Sequence, residues 1–229
     1  MRKLTLLLIF ALAACSAQKA PEPLAAATNA APAPATVVPA NAPVILAFGD
    51  SLYAGYQLDQ GLGYPPRLEA ALNKAGVSAR LVNAGVSGDT TAAALARLNF
   101  TLDNQPVKPA LVLVGLGGND MLRGLAPTET RANLDAILAE LARRKIPALL
   151  TGMLAAPNMG ADYVRAFNPI YPALATKYRV PLVPFFLTAV VGQNNLLLED
   201  HIHPNATGVE RIVAATQSDV AKALKAALP

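Results

Sequence analysis

The chain carries a single cysteine, Cys15, in 229 residues, so no disulfide can form within it. It has two histidines, His201 and His203, which leaves few candidates for a general base. With no second Cys and no third His, a zinc shell built on Asp200 and these histidines lacks the ligands to close it. Charge is equally scarce: 15% of residues are charged, the formal balance is +4, and Arg2 and Lys3 supply two of those charges. Such a balance gives no electrostatic argument for nucleic acid. No internal repeat is visible. What the chain does have is apolar bulk, 53% of residues, enough for one sizeable domain with a large core.

The N-terminus reads separately from the rest. Arg2 and Lys3 precede an apolar run, Leu4 to Leu12, interrupted only by Thr5. That run is too short to span a bilayer and has the layout of a signal peptide. It ends Leu12-Ala13-Ala14-Cys15, which resembles the lipobox of bacterial lipoproteins. The resemblance implies lipidation of Cys15, cleavage of the signal segment 1–15 immediately before that Cys, so that the mature chain begins at Cys15, and anchoring to a membrane. Ser16, rather than an acidic residue, follows the Cys; this is similar to lipoproteins held at the periplasmic face of the outer membrane in Gram-negative cell envelopes. Residues 16–43 contain eleven Ala, six Pro and no aromatic residue, so they read as a disordered tether. The domain proper is expected over 44–229.

From Val44 onward the pattern alternates between short apolar runs and amphipathic stretches. Strands are expected at Val44–Phe48, Arg80–Asn83, Ala110–Val114, Ala148–Thr151 and Leu182–Val183. Helices are expected from Pro65 to Ala75, Thr91 to about Leu98, Pro127 to Lys145, Tyr163 to Tyr178 and Thr207 to Leu228. Ala110–Val114 is apolar throughout, as a parallel strand covered on both faces must be. Five strands with intervening helices imply a doubly wound α/β fold: three layers around a five-stranded parallel sheet.

The polar punctuation falls where the strands end. After the first strand comes Gly49-Asp50-Ser51-Leu52, after the second Asn83-Ala84-Gly85-Val86-Ser87-Gly88-Asp89-Thr90, after the third Gly115-Leu116-Gly117-Gly118-Asn119-Asp120, and beyond the fifth Glu199-Asp200-His201-Ile202-His203-Pro204-Asn205. In open α/β sheets this edge is where ligands bind. A Ser placed there can act as a nucleophile if a base reaches it, or can simply cap the next helix.

Taken together, Phe48-Gly49-Asp50-Ser51-Leu52, Gly88, Gly117-Gly118-Asn119-Asp120 and Asp200-x-x-His203-Pro204 resemble the four blocks of the GDSL, or SGNH, hydrolases in order and spacing. Ile170-Tyr171-Pro172 and Val183-Pro184-Phe185-Phe186 are similar to its small bacterial arylesterase, acyl-thioesterase and lysophospholipase subgroup. The resemblance covers Val44 to the end. It implies the flavodoxin-like fold of that family and hydrolysis of carboxylic esters, with thioesters and lysophospholipids as further substrates.

The residues support that reading on their own chemistry. Ser51 needs a base, and His203 lies three positions after Asp200, close enough for one turn to aim both at one place. Asp200 would hold the imidazole at Nδ1, leaving Nε2 to take the Ser51 proton; His201 would face solvent or the rim. Gly88 can offer its N–H to an oxyanion because no side chain blocks the approach, and Asn119 can add a side-chain donor. The family resemblance implies the Ser51 N–H as a third. No metal or organic cofactor is expected. Leu116, Met121, Leu122, Leu154 and Pro157 surround the expected site and suggest an apolar acyl pocket, or plain core. The roles of Asp50 and Asp120 are open. Two rival readings are an O-acetylesterase of carbohydrate or peptidoglycan, and a lipoprotein that binds acyl groups without cleaving them.

Overall fold

A computed structural model describes residues 38–228. The expected signal segment, the lipidation site Cys15 and the tether as far as Val37 lie outside the described residues. Five strands form one parallel sheet in the order β2-β1-β3-β4-β5. They are β1 (Val44–Gly49), β2 (Arg80–Gly85), β3 (Leu111–Gly115), β4 (Ala148–Thr151) and β5 (Leu182–Val183). The helices are α1 (Ser51–Ala54), α2 (Tyr64–Lys74), α3 (Thr91–Asp103), α4 (Gly118–Leu122), α5 (Pro127–Arg143), α6 (Ala161–Phe167), α7 (Ile170–Tyr178) and α8 (Ala206–Ala227).

The period of two along a strand distributes the apolar residues of β1 and β3 between two cores. Leu46, Phe48, Val112, Val114 and Leu150 face α3, α5 and α7, where Leu98, Leu134, Ile137, Leu138 and Leu174 pack against them. Ile45, Ala47, Leu111, Leu113 and Leu149 face α2 and α8, against Leu68, Leu72, Val209, Ile212 and Val220. Because both faces are covered, every residue of β1 is buried, including its terminal Gly49. The order 2-1-3-4-5 reverses direction between β1 and β3, so the crevice for a ligand opens beyond their carboxyl ends. Among the described residues no helix is long and apolar enough to cross a membrane.

Three features depart from the expectations. The single helix expected from Tyr163 to Tyr178 is two, α6 and α7, broken at Asn168–Pro169. Pro169 has no N–H to continue the ladder, and the Asn168 side chain accepts from the Ala155 N–H at 2.8 Å instead. α3 runs five residues further than expected, to Asp103, with Leu102 on its buried face. Two short helices, α1 and α4, start directly after β1 and β3, where only turns were expected.

α1 rests on β2. A Cβ added to Gly85 would lie 2.4 Å from the Ala54 nitrogen, 2.8 Å from the Tyr53 carbonyl carbon and 2.9 Å from the Asp50 oxygen. All three are backbone atoms and cannot rotate away. Gly85→Ala is therefore expected to destabilise the protein by about 1–3 kcal/mol, read as a lower urea midpoint, and to displace the turn that carries Ser51. An unchanged midpoint would contradict this packing.

Candidate active site

At the end of β1 the backbone turns through Asp50, whose Oδ1 accepts the Leu52 N–H at 3.0 Å and caps α1. Asp50 is thus the cap, and Ser51, the first helical residue, keeps its hydroxyl free. Ser51 Oγ lies 2.8 Å from His203 Nε2, across 152 residues of sequence. His203 Nδ1 lies 2.6 Å from Asp200 Oδ2. A carboxylate can only accept, so Nδ1 carries the imidazole proton and Nε2 is left to accept from the serine.

The loop holding this pair is built from short-range bonds. Asp200 Oδ1 accepts the N–H groups of Ile202 at 2.9 Å and His203 at 3.0 Å. His201 takes the left-handed conformation, φ +57°, and turns its side chain to solvent. Asn205 secures the far side: its Nδ2 donates to the carbonyls of Asn195 and Leu197, and its Oδ1 caps α8 through the Gly208 N–H at 2.9 Å. Asn205 is not among the site residues expected from the sequence, although an Asn directly before a helix is an N-cap signal. Burial raises the Asp200 carboxyl, but the hydrogen bonds from His203 and Ile202 outweigh it and bring the group down to about 2. Asp200 is therefore ionised throughout the neutral and mildly acidic range.

Gly88 and Asn119 come from the two neighbouring loops. Asp89 N–H closes a turn on the Val86 carbonyl at 3.2 Å, with Gly88 third at φ +85°, the position of a type II turn that requires glycine. Asn119 Nδ2 donates to the Asp89 carbonyl at 3.0 Å, and an amide nitrogen has a second hydrogen to offer. Arg123 Nη2 donates to the Gly88 carbonyl at 2.8 Å. Asp120 is a structural anchor: it accepts from the Thr91 N–H at 2.8 Å and from the hydroxyls of Thr91 and Thr130, fixing the start of α3 to α4. Arg97 pairs with Asp89 at 2.6 Å, donates to the Gly49 carbonyl at 3.0 Å and lies over the Phe48 ring. Neither Arg97 nor Arg123 stood out in the sequence, since an isolated Arg in a helix pattern gives no signal of its target.

A cavity of about 60 Å³ opens at Ser51, with Asp50, Asn119 and His203 at its polar end. Its apolar wall is Leu52, Met121, Leu122, Met153, Leu187 and Ile202. Of the pocket residues expected from sequence, Met121 and Leu122 line it. Leu116 does not: it is buried in the core, its carbonyl held by the Tyr171 hydroxyl at 2.9 Å. Leu154 is 41% exposed and outside the lining, which Met153 occupies in its place, and Pro157 opens a 3₁₀ turn beyond it. The wider groove between α2 and α8, about 590 Å³, has no hydroxyl or thiol nucleophile in its lining. Among the described residues no three His, Cys, Asp or Glu side chains are grouped to hold a metal.

The GDSL-like Lipase/Acylhydrolase family pattern matches residues 47–211. The chain is 40% identical over 174 residues to "Esterase TesA" of Pseudomonas aeruginosa, covering 76% of this chain and 86% of that protein. It is 40% identical over 166 residues to "Thioesterase 1/protease 1/lysophospholipase L1" of Escherichia coli strain K12, covering 72% and 77%. Among solved structures, AlinE4, described as an SGNH-hydrolase family esterase, superposes with a TM-score of 0.69 at 62% identity over 80% of this chain and 96% of its own. TesA superposes with a TM-score of 0.73 at 38% identity, over 81% and 99%.

Asp50 carries the pH dependence of this region. Burial raises it from 3.8 to about 7, outweighing the opposing Leu52 hydrogen bond, and the nearby Asp89 and Asp120 carboxylates add smaller upward contributions. The folded protein therefore binds this proton more tightly than the unfolded chain, so stability falls as pH rises from about 4 to about 7 and stays lower above that. The shift corresponds to roughly 4 kcal/mol. Asp50→Asn, neutral at every pH, is expected to raise the urea midpoint at pH 8 and to change it little at pH 4. An equal effect at both would contradict a buried, titrating carboxyl.

Proposed function

The chain belongs to the GDSL-like lipase/acylhydrolase family and hydrolyses ester bonds, and on that premise we propose that it is a serine esterase working through Ser51, His203 and Asp200. The observation that carries this reading is the continuous relay of 2.8 Å from Ser51 Oγ to His203 Nε2 and 2.6 Å from Nδ1 to Asp200. As Oγ attacks the ester carbonyl, its proton passes to Nε2, and the ionised Asp200 stabilises the imidazolium. The carbonyl π electrons move to oxygen, where Gly88 N–H, Ser51 N–H and the second Asn119 Nδ2 hydrogen stabilise the oxyanion. His203 then returns the proton to the leaving alcohol, and water repeats the cycle on the acyl-enzyme.

The cavity supports an aryl or short- to medium-chain acyl ester as substrate. Its wall is apolar, and Leu122 (51% exposed) and Ile202 (40% exposed) extend that character to the mouth. A sugar O-acetyl ester would need polar partners for its hydroxyls, and this lining offers few. The names of the relatives support acyl thioesters and lysophospholipids as further substrates. The intact relay favours catalysis over simple acyl binding.

Ser51→Ala is expected to lower kcat for a p-nitrophenyl ester by several orders of magnitude, as losing a triad nucleophile does elsewhere. His203→Ala should match it, whereas His201→Ala should retain near-full activity. Activity surviving in the Ser51 or His203 variant, or loss in the His201 variant, would overturn the assignment.

We also propose that Cys15 is lipidated and anchors the enzyme in the cell envelope, at the periplasmic face of the outer membrane. The support is Arg2-Lys3, the short apolar run, Leu12-Ala13-Ala14-Cys15 and Ser16. Cys15→Ser should abolish palmitate labelling and remove the protein from the outer-membrane fraction. A wild-type protein without lipid would contradict the proposal.

A further inference from the structure

The helix that begins at Ser51 ends after four residues at Gly55, in the left-handed conformation. The N–H groups of Gly55 and Tyr56 both return to the Ser51 carbonyl, at 3.2 and 3.3 Å. The position of Tyr56 is therefore tied to the residue that carries the nucleophile. From there the Tyr56 ring meets the imidazole of His203, with centroids 4.5 Å apart and planes inclined by 38°. The Tyr56 hydroxyl accepts from Gln57 Nε2 at 3.1 Å. The residue is 37% exposed, so part of its surface remains with solvent.

We propose that Tyr56 is a positioning residue of the reaction: its ring holds the His203 imidazole between Ser51 and Asp200 and stabilises the positive charge that this imidazole acquires with the Ser51 proton. The proposal rests on the serine-esterase reading above. A neutral imidazole gains little from an aromatic face, whereas a cation is attracted by the ring quadrupole. The contact thus strengthens as the proton moves and contributes more to the transition state than to the ground state. It also keeps one side of the imidazole out of water, where solvent would otherwise compete for Nε2.

The other groups around His203 are few. Ser51 faces Nε2 and Asp200 faces Nδ1. Asp50 borders the same cavity, and Glu199 and His201 belong to the same loop. Among the described residues Asp200 is the one acid within ion-pair distance of the imidazole. Because Asp200 is held by Ile202 N–H and His203 itself rather than by Tyr56, a change at Tyr56 alters the ring contact and leaves the carboxylate in place.

The test compares full-length wild type with Tyr56→Leu and Tyr56→Gln, which lack the ring, and Tyr56→Phe, which keeps it. The readouts are the pH profile of kcat/KM on p-nitrophenyl butyrate and the NMR titration of the His203 ring protons, which need be separated from those of one other histidine only. In both ring-less variants kcat should fall about two- to fivefold with KM nearly unchanged, and the acid-side midpoint and the His203 titration midpoint should both drop by about half a pH unit. Tyr56→Phe should follow wild type in all of these. An unchanged His203 midpoint in the ring-less variants, a loss confined to KM, or a Tyr56→Phe variant as impaired as Tyr56→Leu would overturn the proposal. A wild type unable to hydrolyse esters would instead count against the serine-esterase reading, and the NMR midpoints would still decide the ring contact.

Discussion

A serine hydroxyl gives up its proton only to a base already aligned with it, and the proposed reaction therefore depends on the 2.8 Å hydrogen bond between Ser51 and His203, 152 residues apart. The sheet alone cannot supply it. β5 lies at the far edge, three positions from β1, so the chain must cross back over the strand ends before His203 can reach Ser51. That return is pinned at several points. Phe186 N–H bonds the Gly152 carbonyl at 2.9 Å, Leu198 N–H bonds the His203 carbonyl at 2.8 Å, and Val190 and Leu196 bury their side chains in the core under α8. The imidazole is thus positioned by buried apolar surface and backbone bonds, with Asp200 fixing its tautomer.

Beneath this relay the protein gathers three acids at the strand ends, and each is accommodated differently. Asp120 is satisfied by an N–H and two hydroxyls, Asp89 by the Arg97 guanidinium, and Asp50 by a single backbone N–H. The first two are arrangements a buried carboxylate tolerates. Asp50 is not fully compensated, so burial shifts its proton affinity toward neutrality. A buried acid next to Ser51, held by so little, goes against the ordinary preference for apolar or paired interiors. Such local exceptions concentrate at functional sites.

Much of this was legible in the sequence, for physical reasons that also explain what was not. Val44–Phe48 and Ala110–Val114 are apolar without interruption because both faces of the sheet are covered, which makes parallel strands stand out. Scarcity did the same for the site: with two histidines, the spacing from Asp200 pointed to His203, and the structure does bring Ser51, His203 and Asp200 together. α1 and α4 escaped notice because helices of four and five residues are too short for any periodicity. The break at Asn168–Pro169 was hidden because Pro172 is accommodated within the first turn of α7, so prolines alone did not locate the end. Pocket residues were least legible. Whether Leu116, Met153 or Leu154 faces the cavity depends on the path of the chain after its strand, and apolar character is the same in all three.

In the proposed mechanism the ends of β1, β2 and β3 and the loop after β5 form one acyl-transfer site before substrate arrives. The most direct test is a crystal structure of the protein after reaction with a fluorophosphonate, whose phosphorus mimics the tetrahedral carbon. Phosphorus is expected bonded to Ser51 Oγ, with the phosphoryl oxygen about 2.7–3.1 Å from Gly88 N and Asn119 Nδ2. An adduct on another residue, or a phosphoryl oxygen turned to solvent away from both donors, would contradict it.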